Sequence, residues 1–214
     1  PAPEFVDLKL ADGMYNYWRS VITMQSKILP DFGDHRPEGI EQMTLVQETG
    51  VFMRPMASLA LAFTYLEEGD LKKAGTACTN NKIKYPDNIV KNLTCGMVYT
   101  EGRRFDDALA VYDRVLKVDA KNDRVHYLRG YTLLRKGDDA AAKTEFERYL
   151  TSQHLEAYQR SYAHMRLGQV QARLEQYALA VESYKAAIKI DGNKQAKSLL
   201  QKLEERKKEK KIDY

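Results

Sequence analysis

Ala74-Gly75-Thr76-Ala77-Cys78, Ala108-Leu109-Ala110-Val111-Tyr112, Ala142-Lys143-Thr144-Glu145-Phe146 and Ala180-Val181-Glu182-Ser183-Tyr184 are four echoes of one segment. The first three leading alanines lie 34 residues apart, and the fourth follows the third after 38. A fixed period of this length marks stacked helical hairpins, a solenoid in which each repeat leans on its neighbours. Such arrays present surfaces and rarely carry chemistry.

The residues around each echo complete a hairpin. In the second copy Asn88 offers a cap, and Ile89–Tyr99 has apolar positions at helical spacing. A turn follows at Glu101-Gly102-Arg103, and the next helix runs from Phe105 to Val118. Asp106 and Asp107 sit in its first turn, where they suit the helix dipole. The first copy turns at Gly69-Asp70 and closes at Tyr85-Pro86-Asp87-Asn88. The third turns at Gly137-Asp138, and the fourth closes at Ile190-Asp191-Gly192-Asn193. Antiparallel helices approach closely only where side chains are small. Ala62, Gly96, Gly130 and Gly168 supply this on the first helices, and the four echoing alanines on the second. Tyr112, Phe146 and Tyr184 are expected to fill space towards the next hairpin.

Over about Pro55 to Asn193 these residues resemble the tetratricopeptide repeat (TPR) family. The family's closing proline is replaced by Ala120 and Gly192 in the second and fourth copies. Its early tryptophan is replaced by Ser58, Asn92, His126 and His164. The four extra residues of the third interval fall near Thr151–Arg160, as a loop or a longer helix. The resemblance implies an all-α, right-handed α-α superhelix of four hairpins, at about 55–88, 89–122, 123–156 and 161–193. A C-terminal capping helix follows within 194–214, with Ala196, Leu199, Leu200 and Leu203 on one face and a frayed end from Arg206 to Lys211.

Residues 1–54 do not fit the repeat. Leu8–Leu29 reads as a helix with Tyr17, Val21, Met24 and Ile28 on one stripe, Pro30–Gly39 as a loop and Ile40–Glu48 as a second helix. Together they form either a degenerate hairpin that caps the array or a separate partner-binding element.

Composition narrows the function classes. The net charge of +4 resides wholly in Lys194–Tyr214, with eight basic and four acidic residues, so no global field for nucleic acid exists. The glutamates among those lysines favour a solvated helix end. The longest apolar run, Pro55–Leu66, is too short to span a bilayer. Pro1 is not an initiator methionine, and the compartment, cytoplasmic or periplasmic, stays open. Cys78 and Cys95 match no metal spacing and read as small buried core residues; a disulfide between them would require an oxidising compartment.

No phosphate loop, nucleophile elbow or zinc motif is present, so no catalytic residue, cofactor or metal is assigned, and the chain reads as a non-enzyme. Asp31, Asp34 and His35 read as a solvated turn. His126 and His164 take the early tryptophan position and read as structural. Asn92-Leu93-Thr94 matches a glycosylation acceptor but lies inside a packed helix.

By resemblance, the first helices line a concave groove that receives a partner peptide or helix. Its residues here would be Met56, Leu59, Phe63 and Leu66, then Val90, Leu93, Met97 and Glu101. The third and fourth hairpins would add Arg124, Tyr127, Tyr131 and Arg135, then Tyr162, Met165, Gln169 and Arg173. The first half is apolar and the second mixes Tyr and Arg, types enriched at hot spots; the competing readings are that the N-terminal helices cover the apolar half, or that some of these residues pack between hairpins. The carboxylate clamp of chaperone-binding TPR proteins is absent: its places hold Leu59, Phe63, Thr94, Arg124 and Leu128. Shifted one repeat along, they hold Leu93, Met97, Leu128, Tyr162 and Arg166, which cannot clamp a carboxylate either. The expected function is a scaffold or adaptor for protein–protein interaction, binding a peptide or helix in the groove. The alternative is a constitutive subunit or assembly factor of a secretion, pilus or envelope complex. Self-association, with a neighbour's terminal helix in the groove, fits either.

Overall fold

The computed structural model describes residues 5–26, 28–30, 32–80 and 86–210. Among them every regular element is helical: α1 Lys9–Gln25, α2 Arg36–Thr49, α3 Arg54–Glu67, α4 Leu71–Asn80, α5 Ile89–Glu101, α6 Phe105–Val118, α7 Asp123–Lys136, α8 Asp139–Leu150, α9 Ala157–Arg173, α10 Tyr177–Asp191 and α11 Lys194–Lys210. The chain divides into two compact units, Pro1–Gly102 and Arg103–Tyr214.

In the first unit α1 and α2 form an antiparallel hairpin built on two glycines. A Cβ on Gly13 would lie 2.8 Å from the Gly39 carbonyl oxygen, and one on Gly39 would lie 2.6 Å from that of Gly13. No larger residue permits this approach. The hairpin is then tied by Asn16 Nδ2, which donates to Gln42 Oε1 at 3.0 Å, and by the buried Tyr17 and Met43. Tyr17 also reaches α3, where its hydroxyl donates to Glu68 Oε1 at 2.8 Å. The Asp7 carboxylate accepts from the backbone N–H groups of Val51, Phe52 and Met53 and so fixes the entry into α3.

Several expectations change here. The first helix ends at Gln25, short of Leu29, and its buried stripe is Leu10, Gly13, Tyr17, Ser20 and Thr23. Tyr17 belongs to it, Val21 flanks it, and Met24 and Ile28 are exposed. The second helix starts at Arg36 rather than Ile40, because Pro37 in its first turn is preset for helical φ. Tyr85 and Asp31 lie outside the described residues. Cys78 on α4 and Cys95 on α5 are buried as expected, but they are joined in a disulfide, with Cα atoms 5.6 Å apart. That distance lies at the usual separation for a bridge.

The second unit repeats one hairpin geometry. A Cβ on Gly130 would meet the Phe146 ring at 3.0 Å, and one on Gly168 would meet Tyr184 at 2.7 Å and the Ala180 carbonyl at 3.2 Å. Phe146 and Tyr184 therefore sit on the glycine of their own hairpin rather than only filling space towards the next one. The extra residues between α8 and α9 make both a turn over 151–156 and a 17-residue α9. α11 is seated by Asn193: its Oδ1 accepts from Ala196 N at 2.9 Å, and its Nδ2 donates to Ser161 Oγ at 3.0 Å. Ala196 and Leu203 join the core of α9 and α10, and the helix continues to Lys210, beyond the expected fraying point at Arg206.

The turns inside the hairpins show a second periodic feature. Gly69, Arg103, Gly137 and Glu175 all have positive φ, between 59° and 95°, at the same place in successive copies. A side chain in this conformation costs on the order of 1 kcal/mol, which glycine avoids. Within one hairpin two substitutions therefore act in opposite directions. Glu175→Gly is expected to stabilise the protein by about 1 kcal/mol, and Gly168→Ala to destabilise it by about 1–3 kcal/mol through forced displacement of Tyr184. Urea unfolding midpoints check both.

Candidate functional site

Each unit carries an open face on its first helices. In the first unit the expected residues fall into two groups. Met56 (53%) and Val90 (58%) are exposed, and Leu59, Leu66, Met97 and Glu101 are half-buried. Leu93 is buried and serves the core. Phe63 packs beside Trp18 of α1, with ring centroids 5.4 Å apart, yet stays 36% exposed, so the N-terminal hairpin borders this face without closing it.

The first unit holds a further feature that the sequence reading missed. Leu8, at the N-cap of α1, and Tyr15 and Ile22 on the helix lie seven residues apart, opposite the face that carries Leu10 and Tyr17, and all three are exposed. Ala11, between them, is exposed as well. α1 is thus apolar on two sides, where a helix on a monomer's surface normally shows one. The seven-residue spacing was readable, but the single stripe sought along Leu8–Leu29 concealed it.

In the second unit Arg124 and Tyr162 are exposed and Gln169, Tyr131 and Arg135 half-buried, while Met165 is fully buried beneath them. Tyr127 turns inward onto Phe146 and Tyr149, at centroid distances of 5.8 and 5.3 Å. Tyr131 is flanked by two guanidinium groups: Arg166 lies 5.0 Å and Arg135 5.8 Å from its ring centre. Arg166 also donates to Gln169 Oε1 at 2.9 Å. Arg173 pairs through Nε with Asp139 at 3.0 Å and donates from Nη1 to the Leu134 carbonyl. The result is a face of positive charge and aromatic surface, held in place from within the unit.

The two structural histidines differ. His126 is buried with Nδ1 2.7 Å from Glu145 Oε2, and Glu145 also accepts from Arg129 Nε at 2.7 Å; Arg129 pairs with Asp113 as well. Burial, then the Arg160 charge, holds the His164 imidazole below its ordinary pKa. Asn92 is buried and donates to the Pro86 carbonyl at 2.9 Å. Asp34 is taken up by Arg36, whose hydrogen bonds hold its pKa down at about 2, and His35 by Glu38 and the Phe32 carbonyl. Among the described residues no three metal-ligating side chains converge, and no helix is long and apolar enough to cross a membrane.

The Cys78–Cys95 bridge holds α4 to α5 beneath the first unit's face. Closing a loop of this length is worth about 3 kcal/mol. Dithiothreitol is expected to lower the urea midpoint accordingly. Thiol labelling of both cysteines in the unreduced native protein would contradict the bridge.

Comparison with known proteins bears on the repeats. Residues 96–154 and 161–194 match the tetratricopeptide repeat in two family models. No curated protein matches the chain in sequence. The fold is similar to that of a MamA RS-1 double mutant, with a TM-score of 0.62 at 15% identity, covering 86% of this chain and 94% of that one. It is similar to MamA AMB-1, with a TM-score of 0.58 at 15% identity, covering 86% and 97%. It is also similar to TTC0263, a thermophilic TPR protein in Thermus thermophilus, with a TM-score of 0.63 at 14% identity, covering 89% and 98%. At these identities the likeness is one of fold.

Proposed function

We infer, from tetratricopeptide repeats matched at residues 96–154 and 161–194, that the protein is a non-enzymatic scaffold whose first-helix faces receive a segment of a partner protein. The observation that carries this reading is the face of the second unit. Tyr131 is held between two arginines, and the exposed Tyr162 and Arg124 stand on the same set of first helices. Rigid aromatic and arginine side chains, ordered before a partner arrives, lose little entropy on binding. The first unit offers Met56 and Val90 as adaptable or apolar contacts. The disulfide supports placing the protein in an oxidising compartment.

The second reading, a constitutive subunit of a secretion, pilus or envelope assembly, is favoured by the outer stripe of α1. Leu8, Tyr15 and Ile22 are the kind of surface that a permanent neighbour covers.

Affinity capture from native lysate separates the two. Arg124→Glu with Tyr162→Ala alters exposed positions and is expected to leave melting unchanged while reducing recovery of the partner at least tenfold. Tyr15→Ser with Ile22→Ser is expected to leave recovery intact. The opposite pattern would replace the scaffold reading with the assembly reading.

A further inference from the structure

A narrow slot opens between α9, α10 and α11, with a volume of about 240 Å³. Ala172, Leu199 and Leu203 form apolar walls, and Tyr184 lines it from α10. Small-molecule sites run from roughly 300 to 1,000 Å³, so this one has room for a single side chain. Tyr184 is only 2% exposed, and its hydroxyl makes no hydrogen bond among the described residues. Burial alone pushes its phenol up to about 12. That hydroxyl is open to donate to an incoming polar group.

The rim of the slot is cationic. Arg173 stands on one side and Lys202 and Arg206 on the other. Arg173 is already tied to Asp139 and the Leu134 carbonyl, which fixes its position and offsets part of its charge. Lys202 and Arg206 are exposed, one helical turn apart, and neither forms an ion pair among the described residues. On α11 the Glu205 carboxylate accepts from Gln201 Nε2 at 2.9 Å. Beyond the slot, the same unit adds Arg166 and Arg135 around Tyr131.

We propose that this slot anchors one leucine-sized side chain of an acidic partner segment, with carboxylates on both sides of the anchor meeting Arg173, Lys202 and Arg206. The proposal rests on the scaffold reading and adds the chemistry of the partner. An internal segment fits better than a chain end. The cations come from two helices, and one terminal carboxylate would leave most of them unmet.

The test is fluorescence anisotropy of the full chain with an acetylated, amidated heptapeptide of three acidic residues on each side of a central leucine. Saturable binding is expected at 50 mM salt. It should weaken at least tenfold when the peptide's leucine becomes alanine, and at least tenfold in Lys202→Glu with Arg206→Glu, a variant at exposed positions that keeps its melting curve. No binding, or binding indifferent to the leucine or to the charge reversal, overturns the proposal. A peptide whose leucine is a free C-terminus, binding tighter than the internal one, overturns the assignment to an internal segment. Failure here, with the captured partner still lost in Arg124→Glu with Tyr162→Ala, would leave the scaffold reading standing. Peptide binding at the slot, with the captured partner retained by that variant, would uphold the slot and overturn the reading of the first-helix faces.

Discussion

Contact between a glycine backbone and the opposite helix is the constraint on which the rest of the structure depends. At Gly13 and Gly39 two backbones meet with no side chain between them, and at Gly130 and Gly168 an aromatic ring lies directly on the backbone. Each contact sets the distance between the two helices of a hairpin. That distance decides which side chains are left over for the outside. Met165 is consumed beneath its hairpin, while Tyr162, one turn away on the same helix, is free to face solvent. The polar ties, such as Asn193 to Ser161 and Tyr17 to Glu68, lock an arrangement already dictated by the small residues.

The two units put the same architecture to different chemical use. The first is apolar outside as well as inside: α1 shows an outer stripe, and Met56, Phe63 and Val90 stay open on the first helices. Its α4–α5 junction is bridged by Cys78 and Cys95, and Cys78 occupies the place that Tyr112, Phe146 and Tyr184 fill in later copies. The covalent link runs on to the following helix, whereas Phe146 and Tyr184 pack on the glycine of their own hairpin. The second unit keeps aromatic rings in its core and displays arginines over Tyr131. A partner approaching it would first sense charge and then, at close range, aromatic surface and the slot beside Tyr184.

The hairpins α3–α4, α7–α8 and α9–α10 were legible because small and aromatic residues recur at fixed spacing, and helical packing leaves few other uses for that pattern. The N-terminal hairpin was less legible, although its signal was present. Gly39 precedes Met43 by four residues, as Ala74 precedes Cys78, and it stands 35 residues upstream of Ala74. Glycine for alanine and a one-residue slip in the period hid the echo. The disulfide could not be read because spacing along the chain does not give distance across two helices; α4 and α5 must be packed first. The candidate site was legible as a set of positions and not as a surface. Whether Leu93, Met165 or Tyr127 faces out or in depends on helix rotation within the unit, which their residue types do not fix. The slot was hidden for a related reason, because its lining comes from three helices that meet only in the folded unit.

The central claim, that the first-helix faces are the surfaces left open for a partner, is tested most directly by hydroxyl-radical footprinting of the chain alone and with its captured partner. In the free protein Tyr162, Met56 and Tyr15 should all be oxidised. In the complex Tyr162 should be protected and Tyr15 should remain reactive. Protection of Tyr15 with Tyr162 still fully reactive would contradict the account and place the partner on the outer stripe of α1.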